Sequence, residues 1–212
     1  MTQVSYCAIV GDINKSRELP GRKKIQRLFL RAVDSLNVEF RDQIVSDFRF
    51  RVSEGDAFEG LLKTPAPGYR CARHLIGLMS PVAFSIGIGI GPVATGLSRN
   101  VDLVDGEAFH RARNALALAK KRRQEIVFDF DGSAVGLANA LVGLMEKEWY
   151  RLTDRQREII RRMGEFGNQE RVAKKLKVSQ PAVSKVLGSP TVQKMLEGDA
   201  AMREFMASFS GT

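Results

Sequence analysis

Val52-Ser53-Glu54-Gly55-Asp56-Ala57-Phe58-Glu59-Gly60-Leu61-Leu62 decides how the rest of this chain is read. Just before and into it, Phe48, Phe50 and Val52 alternate with Arg49, Arg51 and Ser53, the period of a half-buried strand, and residues 57–62 read as a strand returning beside it. Glu54-Gly55-Asp56 is then a hairpin corner, where Gly55 lets the backbone reverse and Asp56 holds a carboxylate on a rigid support. Turn chemistry alone accounts for an acidic residue beside glycine. A second carboxylate gives the corner another meaning.

That group is Asp12, in Tyr6-Cys7-Ala8-Ile9-Val10-Gly11-Asp12-Ile13-Asn14-Lys15-Ser16-Arg17. An apolar, β-rich run delivers Asp12 to the carboxyl end of a central strand. If that strand lies beside the hairpin, Asp12 and Asp56 converge with oxygen donors only, which suits Mg²⁺ or Mn²⁺ completed by phosphate and water. The turn carrying Lys15, Ser16 and Arg17 has the basic, hydroxyl-bearing character of a phosphate-holding segment.

Working outward, Pro20-Gly21 opens a long helix with Ile25, Leu28, Phe29, Ala32, Val33, Leu36 and Phe40 on one face. A loop at 64–68 leads to a helix over about 69–79 that buries Leu75, Ile76 and Met79. In the strand expected over 82–91, Phe84, Ile86, Ile88 and Ile90 line one face, while Ser85, Gly87, Gly89 and Gly91 leave the other nearly bare. Strand glycine marks close backbone approach, so a helix packed over the bare face is favoured over room for a base or ribose. A loop with Asp102 and Asp105, a helix over 107–121 and a last strand over 125–130 complete a β-α-β-β-α-β-α-β order, an α+β sandwich related to the ferredoxin-like arrangement.

The 212 residues and 44% hydrophobic content suffice for one such domain and a smaller unit. With no long apolar run and no signal pattern, the expectation is a soluble cytoplasmic protein. Cys7 and Cys71 read as buried free thiols, and His74 as an edge residue rather than a ligand. The net charge of +9 is concentrated: residues 151–188 hold ten Lys/Arg against four Asp/Glu, a surplus of six that points to nucleic acid.

Residues 133–145 read as an apolar helix, and beyond Trp149 the character changes. Thr153 and Gln156 form a capping box ahead of one helix. Ala173 in a second helix, Val178 in a tight turn and Val183 in a third have helix-turn-helix spacing. Ser179 would cap the third helix, with Gln180, Pro181, Ala182, Ser184 and Lys185 facing a major groove or its phosphates. The competing structural account is a helical dimerisation bundle. Residues 189–212 read as one more weak helix that docks on this bundle or on a second subunit.

With both halves in view, the chain resembles the SatD family over most of its length, through residues 10–17, 54–62 and Asp105-Gly106-Glu107-Ala108-Phe109-His110-Arg111-Ala112-Arg113. Its first part is also similar to the palm-like domain of class III nucleotide cyclases and, more distantly, of GGDEF diguanylate cyclases. The resemblance implies a nucleotide cyclase-like palm domain over 1–132, a helical linker over 133–150 and a helix-turn-helix DNA-binding domain over 151–212.

It further implies that Asp12, the Ile13 carbonyl and Asp56 hold two metal ions, Mg²⁺ or Mn²⁺, and that a purine nucleoside triphosphate is the ligand. Lys15, Ser16 and Arg17 would hold phosphates, Arg51 stands next to the base-selecting position, and Arg113 would reach the transition state. Where the cyclases place Asn and then Arg one helical turn later, this chain has His110 and Asn114, with Arg111 and Arg113 out of register. Ala57 departs from the GGDEF pattern. Two functions follow: a nucleotide- and metal-binding transcription regulator, favoured because the transition-state donors are displaced, or an active metal-dependent nucleotide cyclase. The cyclase resemblance implies a homodimer, which would present paired recognition helices to duplex DNA.

Overall fold

A computed structural model describes residues 5–14, 16–53, 55–93 and 106–209. Lys15, Glu54, Asp102 and Asp105 lie outside the described residues, as does the side chain of Arg17. The chain divides into two compact units, Met1–Ala140 with Met202–Thr212, and Leu141–Ala201.

The first unit is built on strands β1 (Tyr6–Ile13), β2 (Arg51–Val52), β3 (Ala57–Leu62), β4 (Phe84–Gly91) and β5 (Ile126–Asp129), with helices α1 (Arg22–Glu39), α2 (Gly68–Met79) and α3 (Glu107–Arg122) between them. The sheet order is β2-β3-β1-β4-β5, antiparallel except where β4 and β5 run parallel. Its first four strands have the ferredoxin-like order, and α3-β5 adds a parallel crossover at one margin. The fold is therefore mixed α+β, with β1 at its centre.

Alternation along β1 assigns the faces. Odd-numbered positions meet α1 and α2: a Cβ on Gly11 would strike the Phe58 and Phe84 rings, and both rings stack near Phe29 of α1, with centroids 6.2 and 5.5 Å away. Even-numbered positions meet α3, where Ala8 and Val10 cluster with Ala108, Phe109 and Ala112. The bare face of β4 is covered as the glycine pattern suggests. A Cβ on Gly87 would lie 2.0 Å from the Ala112 carbonyl oxygen, and one on Gly89 2.1 Å from that of Ala108. The room a base or ribose would need is filled by α3.

The strand expected from Phe48 onward is shorter than its alternation suggests. Ser46–Phe48 form a 3-10 turn and β2 holds only Arg51–Val52. Phe48 and Phe50 are both buried, yet Phe48 joins the α3-side cluster while Phe50 packs on Phe58 and against Gly60. The backbone of Phe50 is held by a side chain instead of a strand: Phe50 N–H donates to Asn37 Oδ1 at 2.9 Å, and Asn37 Nδ2 donates to the Phe50 carbonyl at 2.8 Å. The same clasp recurs at the opposite margin, between Asn139 and Phe128 of β5, at 2.7 and 2.9 Å.

Helix α4 (Ala134–Arg151) is longer than the 133–145 reading and leaves Leu137 and Leu144 exposed. Among the described residues the last helix is α8 (Pro190–Ser208), whose C-terminal part belongs to the first unit: Phe205 in it and Phe209 just beyond it lie 5.7 and 5.0 Å from the ring of Phe130.

In the second unit, α5 (Asp154–Phe166) carries the Thr153–Gln156 capping box. Asn168 caps α6 (Gln169–Leu176), Lys177 turns the chain in the left-handed region at φ 54°, and Ser179 caps α7 (Gln180–Leu187). Ile159, Val172, Ala173, Val183 and Leu187 form the core of these three helices. Among the described residues, no helix is long and apolar enough to cross a membrane.

Candidate functional site

Asp12 is the last residue but one of β1, flanked in register by Ala57 of β3 and Ser85 of β4. The hairpin corner is tied to the same end of the sheet, because Ile13 N–H donates to the Asp56 carbonyl at 3.1 Å. Gly55 makes this possible with φ +72°, a conformation that L side chains rarely adopt. Asp12 and the backbone of Asp56 thus lie at the same end of the sheet, whereas the sequence reading asks for their carboxylates to converge.

Their carboxylates have different partners. Asp56 Oδ2 accepts a hydrogen bond from the Ser16 hydroxyl. It lines a small recess with Ile13, Ser16, Gly55 and the α1 residues Arg22, Ile25 and Gln26. Asp12 shares the α3 face with Val10, and its Oδ2 pairs with the Lys120 ammonium in the last turn of α3. Asp12 Oδ1 is buried and has no hydrogen-bond partner among the described residues. Next to it, the Ser85 hydroxyl donates to Asn14 Oδ1 at 2.9 Å and lies 3.3 Å from the Gln124 carbonyl, which ties the end of β1 to the loop before β5.

A second ion pair lies on the same face. Glu59 of β3 accepts from Arg51 at 2.8 Å, and Arg113 of α3 approaches it at 3.9 Å with its guanidinium over the Phe109 ring. Arg51 and Arg113, both expected at a nucleotide, therefore share one carboxylate. His110 is exposed and stands ten residues before Lys120, about 15 Å along the helix axis. Arg111 is held at the far end of α3 by the Ile90 carbonyl, Glu107 and Asp131. Burial works against its charge, but the two carboxylates outweigh burial and raise its pKa above the ordinary value.

Lys120 and Glu59 escaped the reading of the sequence. Glu59 carried a signal, since it lies two positions from Ala57 and so shares the face of Asp12. Lys120 carried none, because the run Lys120–Arg123 is equally well explained as cations complementing the end of a helix dipole.

Among the described residues, no group of three or more His, Cys, Asp or Glu could cage a metal ion. One or two carboxylates would be a smaller donor set, of the kind Mg²⁺ accepts when a phosphate ligand and water complete its shell. The buried Asp12 Oδ1, unpartnered among the described residues, fits that use, because a buried carboxylate oxygen is unfavourable until a cation or donor meets it.

On α7, the Ser179 hydroxyl accepts from Ala182 N–H at 3.4 Å. Gln180, Ala182, Ser184 and Lys185 are exposed, with Gln180 Nε2 donating to Gln169 Oε1 at 2.8 Å.

Residues 6–205 match the family model described as the SatD family. A comparison with curated proteins finds no match. Among solved structures, the chain is similar to an EAL/GGDEF domain protein from M. capsulatus, at 16% identity and TM-score 0.43, over 60% of this chain and 86% of that one. It is also similar to a bacterial light-regulated adenylyl cyclase, at 15% identity and TM-score 0.44, over 59% of this chain and 43% of that one. A regulator of polyketide synthase expression from Bifidobacterium adolescentis aligns over 97% of this chain and 82% of its own, at 13% identity and TM-score 0.32.

Proposed function

The chain belongs to the SatD family, and we propose that it is a nucleotide- and metal-binding regulator: its α+β unit takes a purine nucleoside triphosphate with Mg²⁺ or Mn²⁺ at the Asp12–Asp56 end of the sheet, and α7 reads duplex DNA. The observation that supports the ligand site is the buried Asp12 Oδ1, unpartnered among the described residues, at the strand end to which the hairpin backbone at Asp56 is hydrogen-bonded. Ser16 orients Asp56, and Ile13 would add its carbonyl. A bound divalent cation would neutralise phosphate oxygens there. Lys15, Ser16 and Arg17 would contact the phosphates, and Arg51 the base.

A regulator rather than a cyclase is supported by the engagement of Arg113 with Glu59 and by the distance of His110 along α3 from Lys120. DNA binding is supported by the helix-turn-helix spacing, the exposed polar start of α7 and the local excess of cations. A homodimer would set two copies of α7 on a two-fold site.

Equilibrium titration of ATP and GTP with Mg²⁺ tests the first arm. Asp12→Asn and Asp56→Asn each abolish metal-dependent nucleotide binding; unchanged affinity in both removes the site. The second arm predicts that duplex binding weakens steeply with salt and that Lys185→Ala lowers the log–log slope by about one. A slope that does not change removes Lys185 from the interface. Release of a cyclic nucleotide from NTP and Mn²⁺ would establish the enzymatic alternative in its place.

A further inference from the structure

A lysine supplies a counter-charge to the central aspartate of this fold. Lys120 reaches Asp12 Oδ2 from the end of α3, and α3 lies low enough to do so because Gly87 and Gly89 present no side chain beneath it. The pair is partly exposed, with Lys120 at 45% and Asp12 at 20%, so the ammonium is held but can leave. An ammonium at Oδ2 and a divalent cation at Oδ1 of one carboxylate repel each other, so each weakens the hold of the other.

From this contact we infer that Lys120 is a built-in competitor of the divalent cation at Asp12. The metal then loads well only together with a phosphate-bearing ligand. The phosphates supply the missing oxygen donors and give the displaced ammonium a new anion to bind. The site so arranged responds to a metal–nucleotide complex and not to free metal. This inference rests on the metal site proposed above and adds to it the order and conditions of loading.

The test is a Mn²⁺ titration of the full chain followed by electron paramagnetic resonance, with and without ATP, for wild type, Lys120→Met, Lys120→Gln and Lys120→Met/Asp12→Asn. Without nucleotide, both single variants bind Mn²⁺ roughly five- to tenfold more tightly than wild type, and the double variant loses that gain. With ATP the difference between wild type and the single variants narrows. Equal affinity in wild type and both single variants, with Asp12 still required, overturns the inference while leaving the metal site standing. No Mn²⁺ bound by any variant with or without ATP overturns both. A gain that survives Asp12→Asn places the metal elsewhere and overturns the inference as well. Circular dichroism confirms that each variant is folded, and Lys120→Gln carries the test if Lys120→Met is not.

Discussion

Gly87→Ala puts the seat of α3 under direct strain. The added carbon would lie 2.0 Å from the Ala112 carbonyl oxygen and 2.3 Å from Leu116 N, both helix backbone atoms with no rotamer by which to escape. Restoring an ordinary contact of 3.4–4 Å requires α3 to retreat from β4 by more than an ångström. That retreat opens the layer formed by Ala108, Ala112 and Ala115, so the destabilisation falls at the upper end of overpacking, about 3 kcal/mol. Gly77→Ala in α2 is the matched control, because nothing lies within 4 Å of a Cβ there. Alanine at this helical position stabilises by about 0.5–1 kcal/mol. Hydrogen exchange of the β4 and β5 amides, read by mass spectrometry, follows this unit by itself. If Gly87→Ala leaves that protection unchanged, or if both variants shift it in the same direction, the account of the glycine strand is wrong.

Other consequences are as direct. Asn139→Ala strands the N–H and carbonyl of Phe128 in a buried setting, at about 1–3 kcal/mol for each group. Asn139→Asp does not rescue it, because a carboxylate would face the Phe128 carbonyl; Asn37→Ala does less harm, since water reaches that half-buried clasp. Thermal melts rank the three, and equal effects at 37 and 139 contradict the reasoning. Cys7 and Cys71 are pushed well above the ordinary thiol value of 9.0, in both cases chiefly by burial. Only the unfolded chain can ionise these thiols near that value, so their contribution is constant below it and stability falls as pH rises past it. Thiol alkylation at pH 8.5 therefore tracks unfolding, and rapid modification of the native protein refutes the burial.

What was legible in the sequence had local causes. The box at Thr153 and Gln156, the cap at Ser179 and the left-handed corner at Gly55 each follow from residues within four positions of one another, and the structure contains all three. The glycine alternation of β4 was legible as close approach because the absence of a side chain is itself a packing instruction. The Phe48 strand was misread because alternation describes burial and not the face: a 3-10 turn and the amide of Asn37 send Phe48 and Phe50 to opposite sides of the sheet. Lys120 and Asp12 are separated by 108 residues, and only the tertiary seating of α3 joins them. The end of α8 was ambiguous for a related reason, since its aromatic partner Phe130 lies far upstream.

The asparagine clasps have a bearing on self-association. An open sheet invites a foreign chain to hydrogen-bond along its rim, and here each rim is a strand of only two or four residues with a backbone position, just before β2 or within β5, that an asparagine amide already occupies. Ribbon-to-ribbon joining of two copies is thereby disfavoured at both rims. If this protein pairs with itself, the contact has to be made by helices or loops, and cross-linkers should be aimed at those surfaces.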